Sequence, residues 1–127
     1  MIIVDSDVMV DFLRGYPPAI KWLQANHDEE IILPGFVVME LIQGCRNKNE
    51  QKILEKRLKD YGIIWASADT CNEALSVFAN AYFTHHLGLL DAIIGQMAVE
   101  QDCPLYTFNR RHYEGVPNLK IIEPYQK

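Results

Sequence analysis

Short apolar runs alternate with stretches of helical period along this chain. Ile2-Ile3-Val4 is a run of β-branched residues with no polar position inside it, the pattern of a buried strand. Ile31-Ile32-Leu33, closed by Pro34, repeats the pattern, and Ile63-Ile64-Trp65, Leu105 to Phe108 and Leu119 to Ile122 are strand-like. Between them lie helical segments. Val8 to Arg14 is stopped by Gly15. Pro17-Pro18 opens a second, carrying Ile20, Trp22 and Leu23. Phe36 to Cys45 follows, then Asn49 to Tyr61 with Leu54, Leu58 and Tyr61 on one face. Asp69 to His85 predicts a long helix with Asp69 at its N-cap and an apolar stripe through Leu75, Phe78 and Tyr82. Asp91 to Gln101 is apolar nearly all round and is expected to pack deeply.

Strands that alternate with helices argue for an α/β fold with a mostly parallel central sheet of about four or five strands. No repeat, linker or low-complexity stretch divides residues 1–127, so a single domain is expected. Ligands of such sheets sit beyond the carboxyl ends of the strands, where Asp5 and Asn109 both lie.

Composition narrows the class. Hydrophobic residues make up 49% and charged residues 23%, which suits a packed core and excludes disorder. No apolar run approaches the roughly 20 residues of a membrane helix, and the N-terminus meets Asp5 with no basic region before it, so a soluble cytoplasmic protein is expected. Cys45, Cys71 and Cys103 have no CxxC or zinc-site spacing and read as reduced, mostly buried thiols. A net charge of -5 argues against whole-surface binding of nucleic acid. Six of the 12 basic residues nevertheless cluster between Arg46 and Lys59, a patch suited either to a phosphate backbone or to a solvated helix face with pairs such as Glu55–Lys59.

Three acids lack an ordinary explanation. Asp5 directly follows an apolar strand. Glu40 sits mid-helix with no Lys or Arg three or four residues away. Asp91 stands between Leu90 and Ala92 at the start of an apolar helix. A carboxylate turned toward an apolar interior is costly unless it is paired or binds a metal, and oxygen-only ligands suit Mg2+ or Mn2+. Each has a blander reading: Asp91 as a helix cap, Glu40 reaching solvent, Asp5 as a turn residue. Asp7 falls either at the rim of the site or outside it, and Asp11 reads as a surface partner of Arg14. His85-His86 suits a helix C-terminus, and His112 reads as an exposed loop residue.

The order strand-Asp, helix-Glu, Asp opening a buried helix, then a strand ending in Thr-x-Asn resembles the PIN-domain ribonucleases, specifically the VapC-like toxins of toxin–antitoxin pairs. The residues that carry the likeness are Ile3 to Gly15, Pro34 to Gly44 with its Glu-Leu pair, Leu89 to Ala98, and Leu105 to Tyr113. The resemblance implies a PIN-like three-layer α/β/α fold and an endoribonuclease that hydrolyses RNA phosphodiester bonds with metal-activated water. It assigns Asp5, Glu40 and Asp91 to Mg2+ or Mn2+, and Asn109 to a fourth catalytic position that is often Asp. Thr107 and Asp7 become supporting residues. Asn109 is neutral, so a single metal is expected more firmly than a second. Arg46, Lys48, Lys52, Arg110 and Arg111 are candidates for RNA contacts. The resemblance also implies a homodimer and a partner antitoxin whose tail lies over the active-site groove. Two other readings stand beside it: a catalytically impaired PIN-type module that binds RNA or antitoxin, and a haloacid-dehalogenase-like phosphatase with Asp5-x-Asp7 at its nucleophile.

Overall fold

The computed structural model describes residues 1–127. Five strands, β1 (Ile2–Val4), β2 (Ile31–Pro34), β3 (Gly62–Ile64), β4 (Leu105–Tyr106) and β5 (Ile121–Ile122), form one sheet in the order β3-β2-β1-β4-β5. All four pairings are parallel, so the sheet is wholly rather than mostly parallel. Helices α1 (Ser6–Leu13) and α2 (Pro17–Ala25) connect β1 to β2; α3 (Gly35–Gln43) and α4 (Lys48–Leu58) connect β2 to β3. The chain then returns through α5 (Ala68–Ala81) and α6 (Leu89–Glu100) to β4, and α7 (Arg110–Tyr113) leads to β5. Parallel crossovers are right-handed. Strands added in opposite directions from β1 therefore place α1–α4 on one face and α5–α7 on the other. The helix contacts divide the same way: α1 touches α2 and α3, α3 touches α4, and α6 touches α5 and α7.

The strand order reverses between β1 and β4. In open α/β sheets such a switch point leaves a crevice at the carboxyl ends of the strands. Asp5 follows β1 there and Thr107 follows β4. The main core beneath is built from Ile3, Val4, Leu33, Ile94 and Leu105, all with no solvent exposure.

Most expected boundaries hold within one or two residues, with physical reasons for the exceptions. Gly15 ends α1 in the left-handed conformation (φ 78°), and Pro17 opens α2. Leu54 and Leu58 are the buried face of α4, as their spacing predicts. The N-cap of α5 is Ser67 rather than Asp69: its hydroxyl accepts the Thr70 N–H at 3.1 Å, and Asp69 falls in the first turn. The helix also ends at Ala81, not His85. Two residues of its expected stripe face outward, Leu75 65% and Tyr82 53% exposed, while Phe78 is half-buried at the edge of the α5–α6 contact. The buried face is instead the small one, Ala74 and Ala81 against Ala92 of α6, because small side chains let the two helices approach closely. Residues 107 and 108 leave β4 early, and 110–113 form a short helix in what the sequence suggested was loop. Of the cysteines only Cys103 is buried; Cys45 is half-buried and Cys71 exposed, so the expectation of mostly buried thiols fails, and all three are free. Glu55 accepts from Gln51 at 2.8 Å and has no ion pair with Lys59.

Candidate active site

Asp5 directly follows β1 and caps α1, its Oδ1 accepting the Ser6 N–H at 2.8 Å. It is 3% exposed. Its Oδ2 accepts the Tyr113 hydroxyl at 2.9 Å and the Thr107 hydroxyl at 3.0 Å. Asp7, on the first turn of α1, ties that helix to the turn after β4: its Oδ2 accepts the Phe108 N–H at 2.8 Å. The Thr107 hydroxyl lies 3.3 Å from the same oxygen. Asp7 therefore shares Thr107 with Asp5 in one cluster. Glu40, on α3, faces Ser6, whose Oγ donates to Oε2 at 3.4 Å. Asp91 occupies the first turn of α6 and accepts the Gly88 N–H at 3.2 Å. It caps its helix and faces the site at once. Gly88 permits this, since a Cβ there would stand 2.8 Å from Asp91 Oδ2.

All four acids hold their protons more tightly than usual, and burial is the largest cause for each. Their neighbours add to it. Asp91 raises Asp5, Asp5 raises Asp7, Asp7 raises Asp91, and Asp5, Asp91 and Asp7 all raise Glu40. The four carboxylates thus share one field. No Lys or Arg forms an ion pair with any of them; the sole cationic candidate is His112, with Nδ1 3.8 Å from Asp91 Oδ2. As the side chains stand, no three are close enough to enclose one ion. The donor set nevertheless suits a hard divalent cation: carboxylate oxygens, desolvated, mutually repelling and without basic partners.

The native state binds more protons at these positions than the unfolded chain between the ordinary values of 3.8 for Asp and 4.5 for Glu and the raised folded ones. Stability of the metal-free protein is therefore expected to fall as pH rises through the raised values. Denaturant unfolding in EDTA should show stability declining as pH is raised above the ordinary carboxylate values of 3.8 and 4.5. A profile that rises over this interval would contradict the shared field.

The other expected residues are placed as follows. Thr107 is fully buried between Asp5 and Asp7, and its Oγ1 accepts the Asn109 N–H at 3.0 Å. Asn109 precedes α7 with its side chain exposed and makes no cap hydrogen bond. Arg110 donates to the Ile121 carbonyl at 3.2 Å and Arg111 contacts His86 at 2.8 Å. Arg46 pairs with Glu50 at 2.9 Å, while Lys48 and Lys52 are exposed on α4. Asp11 does not pair with Arg14. The C-terminal segment reaches it instead, Tyr125 OH at 2.7 Å and Lys127 Nζ at 3.0 Å. Burial raises its proton affinity, but these two bonds together with the charges of Lys127 and Arg14 outweigh burial and lower it overall.

Tyr113 and Ser6 were not singled out from sequence. Tyr113 lies in a run of charged residues, Arg110-Arg111-His112-Tyr113-Glu114, where nothing marks it as buried. Its hydroxyl hydrogen-bonds Asp5 and also favours the ionised form of Asp91.

The family model described as PIN domain matches residues 2–116. Ribonuclease VapC19 of Mycobacterium tuberculosis is 30% identical over 125 residues, covering 94% of this chain and 98% of that protein. Ribonuclease VapC10 of the same organism is 30% identical over 122 residues, with 94% and 91% covered. Among solved structures, a toxin–antitoxin complex from Klebsiella pneumoniae contains a chain that superposes with a TM-score of 0.82 at 22% identity, over 100% of both chains. The family match spans four of the five strands, the switch point and the positions of all four acids, which sets aside the phosphatase reading of Asp5-x-Asp7. The chain belongs to the PIN-domain family.

Proposed function

We propose that this chain is a metal-dependent endoribonuclease, the toxin of a toxin–antitoxin pair, which hydrolyses RNA phosphodiester bonds by attack of water. The observation that carries this reading is the set of four buried or half-buried carboxylates at the sheet switch point, each with its proton affinity raised by at least one of the others and none paired with Lys or Arg. Similarity to the VapC ribonucleases supports RNA as the substrate.

Asp5, Glu40 and Asp91 would hold Mg2+ or Mn2+, with Asp7 and Thr107 beside them. When bound, such a cation lowers the pKa of its water and stabilises negative charge on the phosphate. The chain's own part is orientation. Tyr113, Thr107 and the Ser6 N–H hold Asp5; the Phe108 N–H holds Asp7; the Ser6 hydroxyl holds Glu40. Asn109 stands at the rim without adding charge. Lys48 and Lys52, free of ion pairs on exposed α4, are the stronger candidates for backbone contact; Arg46, Arg110 and Arg111 already have protein partners.

A groove of about 480 Å3 that reaches the acids at Glu40, bordered by Ser6, Val10, Leu41, Arg14 and Arg57, suits an antitoxin segment with an apolar face. The outward stripe of α5 forms an apolar recess with α6, lined by Leu75, Phe78, Leu89 and Ile93, which supports a homodimer. No helix is long and apolar enough to cross a membrane, and the cytoplasm is the compartment that fits.

The test compares wild type with Asp91→Ala on single-stranded RNA, with Mn2+ and with EDTA. Wild type is expected to cleave only with the metal, and the variant at least about a hundredfold more slowly. Equal cleavage by both would assign the activity to a contaminant. Tight RNA binding without cleavage by wild type would favour the catalytically impaired module, for which Asn109 is the hint.

A further inference from the structure

The lone pairs of Asp5 can be counted. Oδ1 accepts one hydrogen bond, from the Ser6 N–H at 2.8 Å. Oδ2 accepts two, from Tyr113 at 2.9 Å and Thr107 at 3.0 Å. Each carboxylate oxygen has two lone pairs, so Oδ2 is full and Oδ1 keeps one open. The two donors on Oδ2 differ. Thr107 has a single proton and also faces Asp7 Oδ1 and Oδ2 at 3.4 and 3.3 Å, so it is shared. Tyr113 is fully buried in the main core; its hydroxyl donates to Asp5 Oδ2 from a fixed ring, and the other carboxylate whose ionised form it favours is Asp91.

We propose that Tyr113 is a positioning residue that closes Oδ2 of Asp5, so that Asp5 offers a cation one oxygen and the site prefers small octahedral divalent ions to Ca2+. The proposal rests on the metal-dependent reading above. Mg2+ and Mn2+ suit near-octahedral sites built from single oxygens, whereas Ca2+ takes six to eight oxygens and accommodates bidentate carboxylates. Removing the hydroxyl reopens Oδ2 and lets the carboxylate turn both oxygens outward. Outer partners of metal ligands typically change affinity by about 10- to 100-fold.

Tyr113→Phe keeps the ring and its packing. Calorimetric titration of Mn2+ and, separately, Ca2+ into metal-free wild type and variant reads the effect, with circular dichroism and melting temperature as the check on folding. Mn2+ affinity is expected to fall by about tenfold while Ca2+ affinity holds or rises. The ratio of the two is the readout, because a merely loosened fold weakens both ions alike. An equal change for both ions, or no change in either, would overturn the role of Tyr113 and leave the metal-dependent reading standing. A folded wild type that binds neither ion would overturn both.

Discussion

Asp5→Asn is expected to melt at a higher temperature than wild type when both are metal-free, and to cleave RNA at least about a thousandfold more slowly when metal is present. Burial raises the proton affinity of Asp5, and Asp91 raises it further, so the ionised carboxylate is held at a cost in the folded state. The amide removes that charge with little steric change. Its oxygen still accepts the Ser6 N–H, and its nitrogen faces the Thr107 and Tyr113 hydroxyls, which can rotate to accept. The Thr107 proton then turns to Asp7, 3.3 Å away. Activity goes the other way, because the variant loses the most buried of the acids proposed to hold the cation. Melting in EDTA and in Mn2+ separates the two effects: the variant should gain stability in EDTA, lose the stabilisation that Mn2+ gives wild type, and show a flatter decline with pH. A variant less stable than wild type in EDTA would mean that the hydrogen bonds to the ionised form outweigh its burial.

Ile94→Ala is expected to cost about 2–5 kcal/mol, a large share of the roughly 5–15 kcal/mol that holds a domain together. Ile94 is fully buried on α6, three residues beyond Asp91, and belongs to the core under the sheet. The truncation loses apolar burial and leaves a cavity under the helix that carries Asp91, so RNA cleavage should fall as well. Leu89→Ala on the same helix is the control: Leu89 is 70% exposed, and its truncation should stay within about 0.5 kcal/mol when measured on monomer. Urea unfolding of both checks the contrast. Similar losses at the two positions would mean that burial within this fold does not set the cost on α6, since helix propensity favours alanine at both and supplies no loss.

The β-branched runs identified β1 and β2, and in these central strands both sheet faces are covered, so local composition is a direct record of burial. Asp5, Glu40 and Asp91 were legible for a related reason. An acid among apolar residues with no basic neighbour in sequence is an anomaly visible without coordinates, and the geometry brings all three into one field. Asp7 was half-legible: its spacing allowed a surface role, and its bonds to the Phe108 N–H, 101 residues away, and the Thr107 hydroxyl bring it beside Asp5.

Contacts that depend on distant parts of the chain were not legible. The stripe of Leu75, Phe78 and Tyr82 has the period of a buried face, yet α6 docks against the alanines of α5, since helix packing selects for shape as well as hydrophobicity. Asp11 has Arg14 three residues on, but it bonds Tyr125 and Lys127, which only the folded chain brings near. The sequence by itself determined the alternation of strands and helices, the helix stops at glycine and proline, and the acids that burial makes costly, because each is written in local spacing. The tertiary structure decided which face of α5 is buried, that Asp7 shares Thr107 with Asp5, and that Tyr113 holds Asp5 across 108 residues of chain. Those outcomes depend on the order β3-β2-β1-β4-β5, which brings the end of β4 beside the end of β1.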